Sequence, residues 1–222
     1  MSIRLEELPL FPLHAVLLPY QTLPVQVFED RYRDMIQNCA NLDQPFGIVL
    51  IREGEEVGDD NVEPYLVGTS ARIVNHTARP DGTLDLLVLG ERRFRVRRLD
   101  RSKPYLTGFV EPIVEMEWIA NSGNRGLLSR SQEAFETHLR NMFGRQDVNI
   151  TVSFPDDPVA LSFAMAGFVS LSLTEKQRLL EITDTTERFE ELIPILENHA
   201  LEYAIEGEPT AAEEFAEFIN RN

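Results

Sequence analysis

Hydrophobic and polar positions alternate with two different periods along this chain. Up to about Trp118, short β-branched and aromatic runs are separated by Pro, Gly and Asp clusters, the pattern of strands. It predicts strands near residues 9–18, 23–28, 46–51, 65–76, 83–98 and 105–117. Pro80-Asp81-Gly82 lies between two of them and predicts a hairpin turn, because proline presets φ and glycine accepts the left-handed conformation. One helix is expected from about Asp30 to Asn38, presenting Tyr32, Met35 and Ile36 on one side. The stretch 52–63, REGEEVGDDNVE, is acidic with two glycines and reads as a solvated loop.

The segment 8–32, LPLFPLHAVLLPYQTLPVQVFEDRY, is apolar enough for a core yet contains Pro9, Pro12, Pro19 and Pro24. Proline is tolerated at strand starts, edges and bulges, where no ladder donor is needed. Repeated proline in an apolar segment therefore predicts short, bent strands that close a small barrel.

After ANSGN at 120–124 the period becomes helical. Leu128, Phe135, Leu139 and Met142 form a stripe that ends at Phe143-Gly144, where glycine suits a C-cap. Asp157-Pro158 is a helix start, an acceptor followed by proline at the first helical position. Thr174 to Gln177 and Asp184 to Glu187 both fit a capping box. The second opens a long helix with Phe189, Leu192, Ile193, Leu196, Ala200 and Tyr203 on one face and Pro194 inside it. Glutamates dominate the chain from Glu202 to Glu217, with a short helix expected around 210–220. The expected organisation is α+β: a β domain with one helix over 1–118, then a helical bundle with an acidic tail over 119–222.

Composition narrows the function. A formal charge of −16 disfavours a nonspecific grip on nucleic acid or anionic membrane. Cys39 stands alone, so neither an intrachain disulfide nor a Cys-rich zinc site can form. No run of about 18 apolar residues suggests a membrane span, and MSIRLEELPLFPLH lacks the features of a signal peptide. The expected location is the cytoplasm.

The chain offers little catalytic chemistry. His14, His76, His138 and His199 show no metal-ligand spacing. The adjacent carboxylates Asp59-Asp60, Asp156-Asp157, Glu190-Glu191 and Glu213-Glu214 fall in loops, a cap and solvated helix faces. Catalytic acid pairs would need a buried member. No serine sits in a Gly-x-Ser-x-Gly elbow, and the only lysines are Lys103 and Lys176. No metal, cofactor or catalytic residue is expected. ERRFRVRRLDRSK, 91–103, is the one basic cluster; Arg93, Arg95 and Arg97 would share one strand face.

Taken in order, LPLFPLHAVLLPYQTLPVQVFEDRYRDMI, FGIV at 46–49, VGTSARI at 67–73, LLVLGERRFRV at 86–96 and the helical 154–196 resemble the Lon protease N-terminal domain. The resemblance covers about residues 6–204. It implies a PUA-like β-barrel followed by a helical bundle, and contact with unfolded or partly folded polypeptide or another protein partner. The chain contains no Gly-x-x-x-x-Gly-Lys-Ser/Thr loop and no Ser–Lys protease domain, so it resembles a stand-alone form of that domain. The implied role is non-catalytic peptide binding in protein quality control. A cleft between barrel and bundle would receive the peptide, with Tyr20, Tyr65 and Trp118 as contact aromatics. A small-molecule or hydrolytic protein on the same scaffold is the alternative. RNA binding through the arginine face ranks behind it, because the overall charge opposes it. Homo-oligomer formation stays open.

Overall fold

The computed structural model describes residues 5–59, 61–121, 123–143 and 154–206. The expected C-cap at Gly144 and the helix at 210–220 lie outside these residues. The chain divides into two compact units. The first gathers residues up to Val114 together with Leu171–Glu181; the second holds Glu115–Ser170 and the chain from Ile182.

The first unit is built on a mixed seven-stranded sheet: β1 (Glu6–Leu13), β2 (Thr22–Val27), β3 (Phe46–Glu53), β4 (Glu63–Pro64), β5 (Val67–Ala78), β6 (Leu84–Asp100) and β7 (Thr107–Pro112). Each expected strand has a counterpart. β4, two residues long, carries too little pattern to be read. β1 pairs antiparallel with β7 and parallel with β3, so the ladder β1-β7-β6-β5-β3 returns to β1. β2 pairs with the first third of β6. The turn at 80–82 joins β5 to β6: Arg79 N–H donates to Thr83 O at 2.8 Å, and Gly82 has φ +87°.

The pairing of β1 explains its prolines. Residues 6–9 pair with β7 and residues 10–13 with β3. Leu10 N–H donates to Leu106 O on the β7 side, and N–H directions alternate along a strand. The nitrogen of Pro9 therefore faces away from β7, and that of Pro12 away from β3. Neither proline removes a ladder donor. Phe11 and Leu13 enter one core cluster while Leu10 enters the other. Burial on both faces is why the strand reads as an unbroken apolar run.

α1 (Asp30–Leu42) lays Tyr32, Met35, Ile36 and Cys39 against Phe11, Val27, Phe46 and Ile48. It runs four residues past the expected end, closing at Asp43 with φ +50°. α4 (Leu173–Glu181) also belongs to this unit. Gln177 Nε2 donates to Val67 O on β5 at 3.0 Å, and Arg93 Nη1 on β6 donates to Leu180 O at 2.5 Å. The helix starts two residues earlier than expected. Ser172 and Glu175 form the capping box: Ser172 N–H donates to Glu175 Oε2 at 2.8 Å, and Glu175 N–H to Ser172 Oγ at 3.3 Å.

The second unit contains α2 (Arg125–Phe143), α3 (Pro158–Phe168) and α5 (Thr185–Glu206). α5 packs on both α2 and α3, burying Phe135, Leu139, Phe163, Phe189, Leu192 and Leu196. Asp157 caps α3 through Val159 N–H at 3.1 Å, with Pro158 in the first turn. Asp184 accepts Thr186 N–H at 2.8 Å at the start of α5. Arg188 is fully buried here. It donates to Ser162 Oγ at 2.8 Å, Ile182 O at 2.6 Å and Thr185 Oγ1 at 3.0 Å, and its guanidinium lies 4.1 Å from the Phe163 ring centroid.

Candidate functional site

The concave part of the first unit lies where the end of β1, the first turn of α1, the loop 54–62 and the β6–β7 turn meet. The loop is folded by Asp59, whose Oδ1 accepts Asn61 N–H at 2.8 Å and Oδ2 accepts Glu55 N–H at 3.2 Å. These bonds hold the Asp59 carboxyl below its ordinary value, helped by the nearby charges of Arg101 and Arg31. The same loop is tied to its surroundings. His14 N–H donates to Glu56 Oε2 at 2.7 Å, Gly58 N–H to Glu29 Oε2 at 3.4 Å, and Arg31 Nη2 to Asp59 O at 3.5 Å.

On one side of the loop is a cavity of about 340 Å³, walled in part by Pro12, Tyr32, Pro104 and Tyr105 and carrying Arg31, Arg101 and Lys103. On the other side a shallow crease runs past Val27, Phe28 and Tyr32 to Glu56. Phe28, 50% exposed at the end of β2, and Val57, 55% exposed on the loop, flank this region. Apolar side chains left in water beside a polar-rimmed depression are the usual mark of a contact surface.

Tyr20 is exposed at the tip of a separate turn. Gln21 N–H donates to Leu18 O at 3.3 Å, Pro19 occupies the second position, and Tyr20 has φ +66°. Glycine or asparagine is the ordinary choice at such a position, so a bulky aromatic there is held against its backbone preference. The turn is seated on β6 by Tyr20 N–H to Gly90 O and Gly90 N–H to Gln21 O, both 2.8 Å. A Cβ at Gly90 would meet Leu18 O at 2.4 Å, which is why glycine stands there.

The other expected residues fall as follows. Tyr65 is half-buried, its N–H donating to Leu50 O at 2.8 Å, and its neighbour Leu66 is the exposed apolar residue. Trp118 belongs to the second unit, where its Nε1 is buried without an acceptor among the described residues. The expected cationic face of Arg93, Arg95 and Arg97 is not a continuous surface. Arg93 is buried beneath α4, Arg95 is half-buried, and exposed Arg97 pairs with Glu111. A register shift between Val96 and Arg98 further breaks the alternation. Phe28, Val57 and the Arg31–Arg101–Lys103 cavity were not legible in the sequence, because the junction of β2 and α1, the loop 54–62 and the β6–β7 turn assemble them.

Among the described residues, no three His, Cys, Asp or Glu side chains group as metal ligands would, and no helix is long and apolar enough to cross a membrane. Residues 7–198 match the family described as the ATP-dependent protease La (LON) substrate-binding domain. Lon protease 1 of Thermus thermophilus is 30% identical over 199 residues, covering 86% of this chain and 24% of that protein. Lon protease of Escherichia coli K12 is 27% identical over 196 residues, covering 86% and 25%. The chain thus spans about a quarter of the length of these proteases. Among solved structures, a Lon N-terminal domain protein from Xanthomonas campestris superposes with a TM-score of 0.64 at 29% identity, covering 85% of this chain and 98% of that one. The N-terminal domain of Mycobacterium avium complex Lon protease shares the fold, with a TM-score of 0.64 at 23% identity over 87% and 100%.

Proposed function

We propose that this chain, which belongs to the Lon substrate-binding domain family, recognises exposed apolar segments of unfolded protein without catalysing a reaction itself. The family match over residues 7–198 carries this reading. Exposed apolar side chains on the first unit, among them Tyr20, Phe28, Val57 and Leu66, support it, because an apolar segment of a client would gain by covering such groups. The role falls within protein quality control in the cytoplasm. The returning ladder of β1, β7, β6, β5 and β3 supports a PUA-like barrel as the scaffold, with the α2, α3 and α5 helices as a bundle.

Mechanistically, burial of apolar surface supplies the attraction, roughly 25 cal/mol per Å² removed from water. Much of that is offset by the lost freedom of the client chain, so each contact is weak and exchange is fast. The strong negative charge keeps a loaded complex soluble and discourages nucleic acid as a competitor. The test is fluorescence anisotropy of labelled, reduced and alkylated α-lactalbumin titrated with this protein, with the native form as control. Saturable binding of the unfolded form alone, unchanged by ATP, is expected. Equal binding of both forms, or of neither, would overturn the reading.

A further inference from the structure

We infer that the cavity beside the start of α1 is a binding site for a carboxylate carried on an apolar body. Its volume, about 340 Å³, lies at the lower end of small-molecule pockets, roughly 300–1,000 Å³. Among the described residues, three basic side chains and one acid line it, in a chain whose formal charge is −16. Arg31 Nη2 donates to Asp59 O at 3.5 Å and Arg101 Nη2 to Val62 O at 2.7 Å, so both guanidinium groups are bonded to the loop that walls the cavity. Lys103 approaches from the β6–β7 turn, 5.9 Å from the Tyr105 ring centroid. The remaining walls include Pro12, Val62, Pro104 and Leu106, with the rings of Tyr32 and Tyr105. Pro104 is exposed and Tyr105 half-buried, so these two offer apolar and aromatic surface to whatever the anion is attached to.

Two of the ion pairs that these cations make are partly solvated. Asp59 turns both oxygens to the N–H groups of its own loop, so it shapes the cavity wall more than it fills the site. Arg31 is held by Glu29 at 2.9 Å in a mostly buried pair and stays in place as a fixed charge. The Arg101–Glu63 pair at 3.3 Å and the Lys103–Glu7 pair at 2.5 Å are each partly exposed. Solvated pairs of this kind contribute little. An incoming carboxylate can replace Glu63 on Arg101 or Glu7 on Lys103 at small cost. The Glu7 carboxylate also raises the Lys103 ammonium above the ordinary lysine value.

Two sources supply such a group, a free organic acid or the C-terminal residue of a polypeptide. The site stands whether or not the protein binds unfolded clients. The experiment is a ¹⁵N–¹H NMR titration of the full chain with 3-phenylpropanoate, its neutral amide, and acetyl-Gly-Gly-Phe with a free or amidated C-terminus. Saturable shifts at Tyr32, Asn61 and Tyr105 with the acids, and none with the amides, are expected. Tighter binding of the tripeptide identifies a polypeptide terminus as the occupant; tighter binding of phenylpropanoate identifies a free acid. Arg101→Met should weaken binding at least tenfold. Lys103→Met, at a half-exposed position, repeats the test without disturbing the Arg101 contact to Val62 O. Equal shifts with acid and amide, no saturation, or unchanged affinity in both variants would overturn the assignment.

Discussion

Arg93 Nη1 donates to the carbonyl of Leu180 at 2.5 Å, joining the middle of β6 to the last turn of α4. The helix leaves its final carbonyls without intrahelical donors, and a cation there also suits the negative end of the helix dipole. Arg93 is 1% exposed, so the side chain serves the fold and not a surface ligand. Arg93→Ala should destabilise the protein by about 2–4 kcal/mol, through the lost charged hydrogen bond, the orphaned carbonyl and the cavity left behind. Urea denaturation measures it. A loss below ~0.5 kcal/mol would mean the contact is incidental.

Tyr20 offers a separation of stability from binding. Its φ of +66° is costly for a residue with a Cβ and free for glycine. Tyr20→Gly should leave the midpoint unchanged or raise stability by about 0.5–1 kcal/mol, despite greater freedom of the unfolded chain. The same change should weaken binding of an unfolded client, because it removes an exposed ring. Stability by urea and affinity by anisotropy, measured on one preparation, decide both. A variant that is more stable and binds equally well would remove Tyr20 from the contact surface.

Cys39 lies on the buried face of α1. Burial disfavours the thiolate and raises the thiol above its ordinary value. Reaction with Ellman's reagent at pH 8 should therefore be slow in native buffer and complete within the mixing time in denaturant. A fast native reaction would show that α1 opens readily.

The loop 54–62 should depend on acid in a defined direction. Asp59 has its carboxyl held below the ordinary aspartate value of 3.8 by the Asn61 and Glu55 N–H donors. A depressed folded value means that its contribution is present above the unfolded value and is lost as pH falls through the folded one. The backbone N–H signals of Glu55 and Asn61 should hold their positions through pH 5 and move together only below about pH 4. Movement centred near neutral pH would contradict this account of the loop.

The fold was more legible in the sequence than the site. Strand positions, the 80–82 hairpin and the Asp157-Pro158 helix start follow from local rules, and the structure has them. The α4 cap shows where such rules become degenerate. Ser172–Glu175 and Thr174–Gln177 match the same box two residues apart, and only the hydrogen bonds select the first. Strand alternation grouped Arg93 with Arg97, but it could not reveal that a helix 80 residues away covers one and not the other. Phe28 follows Val27 in a run where every apolar residue reads as core, yet Val25 and Val27 are buried and Phe28 is half-exposed. The cavity is less legible still, because Arg31, Asp59 and Lys103 meet only when three turns fold together.

Hydrogen–deuterium exchange of the protein with and without saturating unfolded α-lactalbumin tests the central claim most directly. The account predicts slower exchange in peptides covering 17–31 and 54–66, where Tyr20, Phe28, Val57 and Leu66 lie. Protection confined to peptides of α2 and α5, with those segments unchanged, would contradict it.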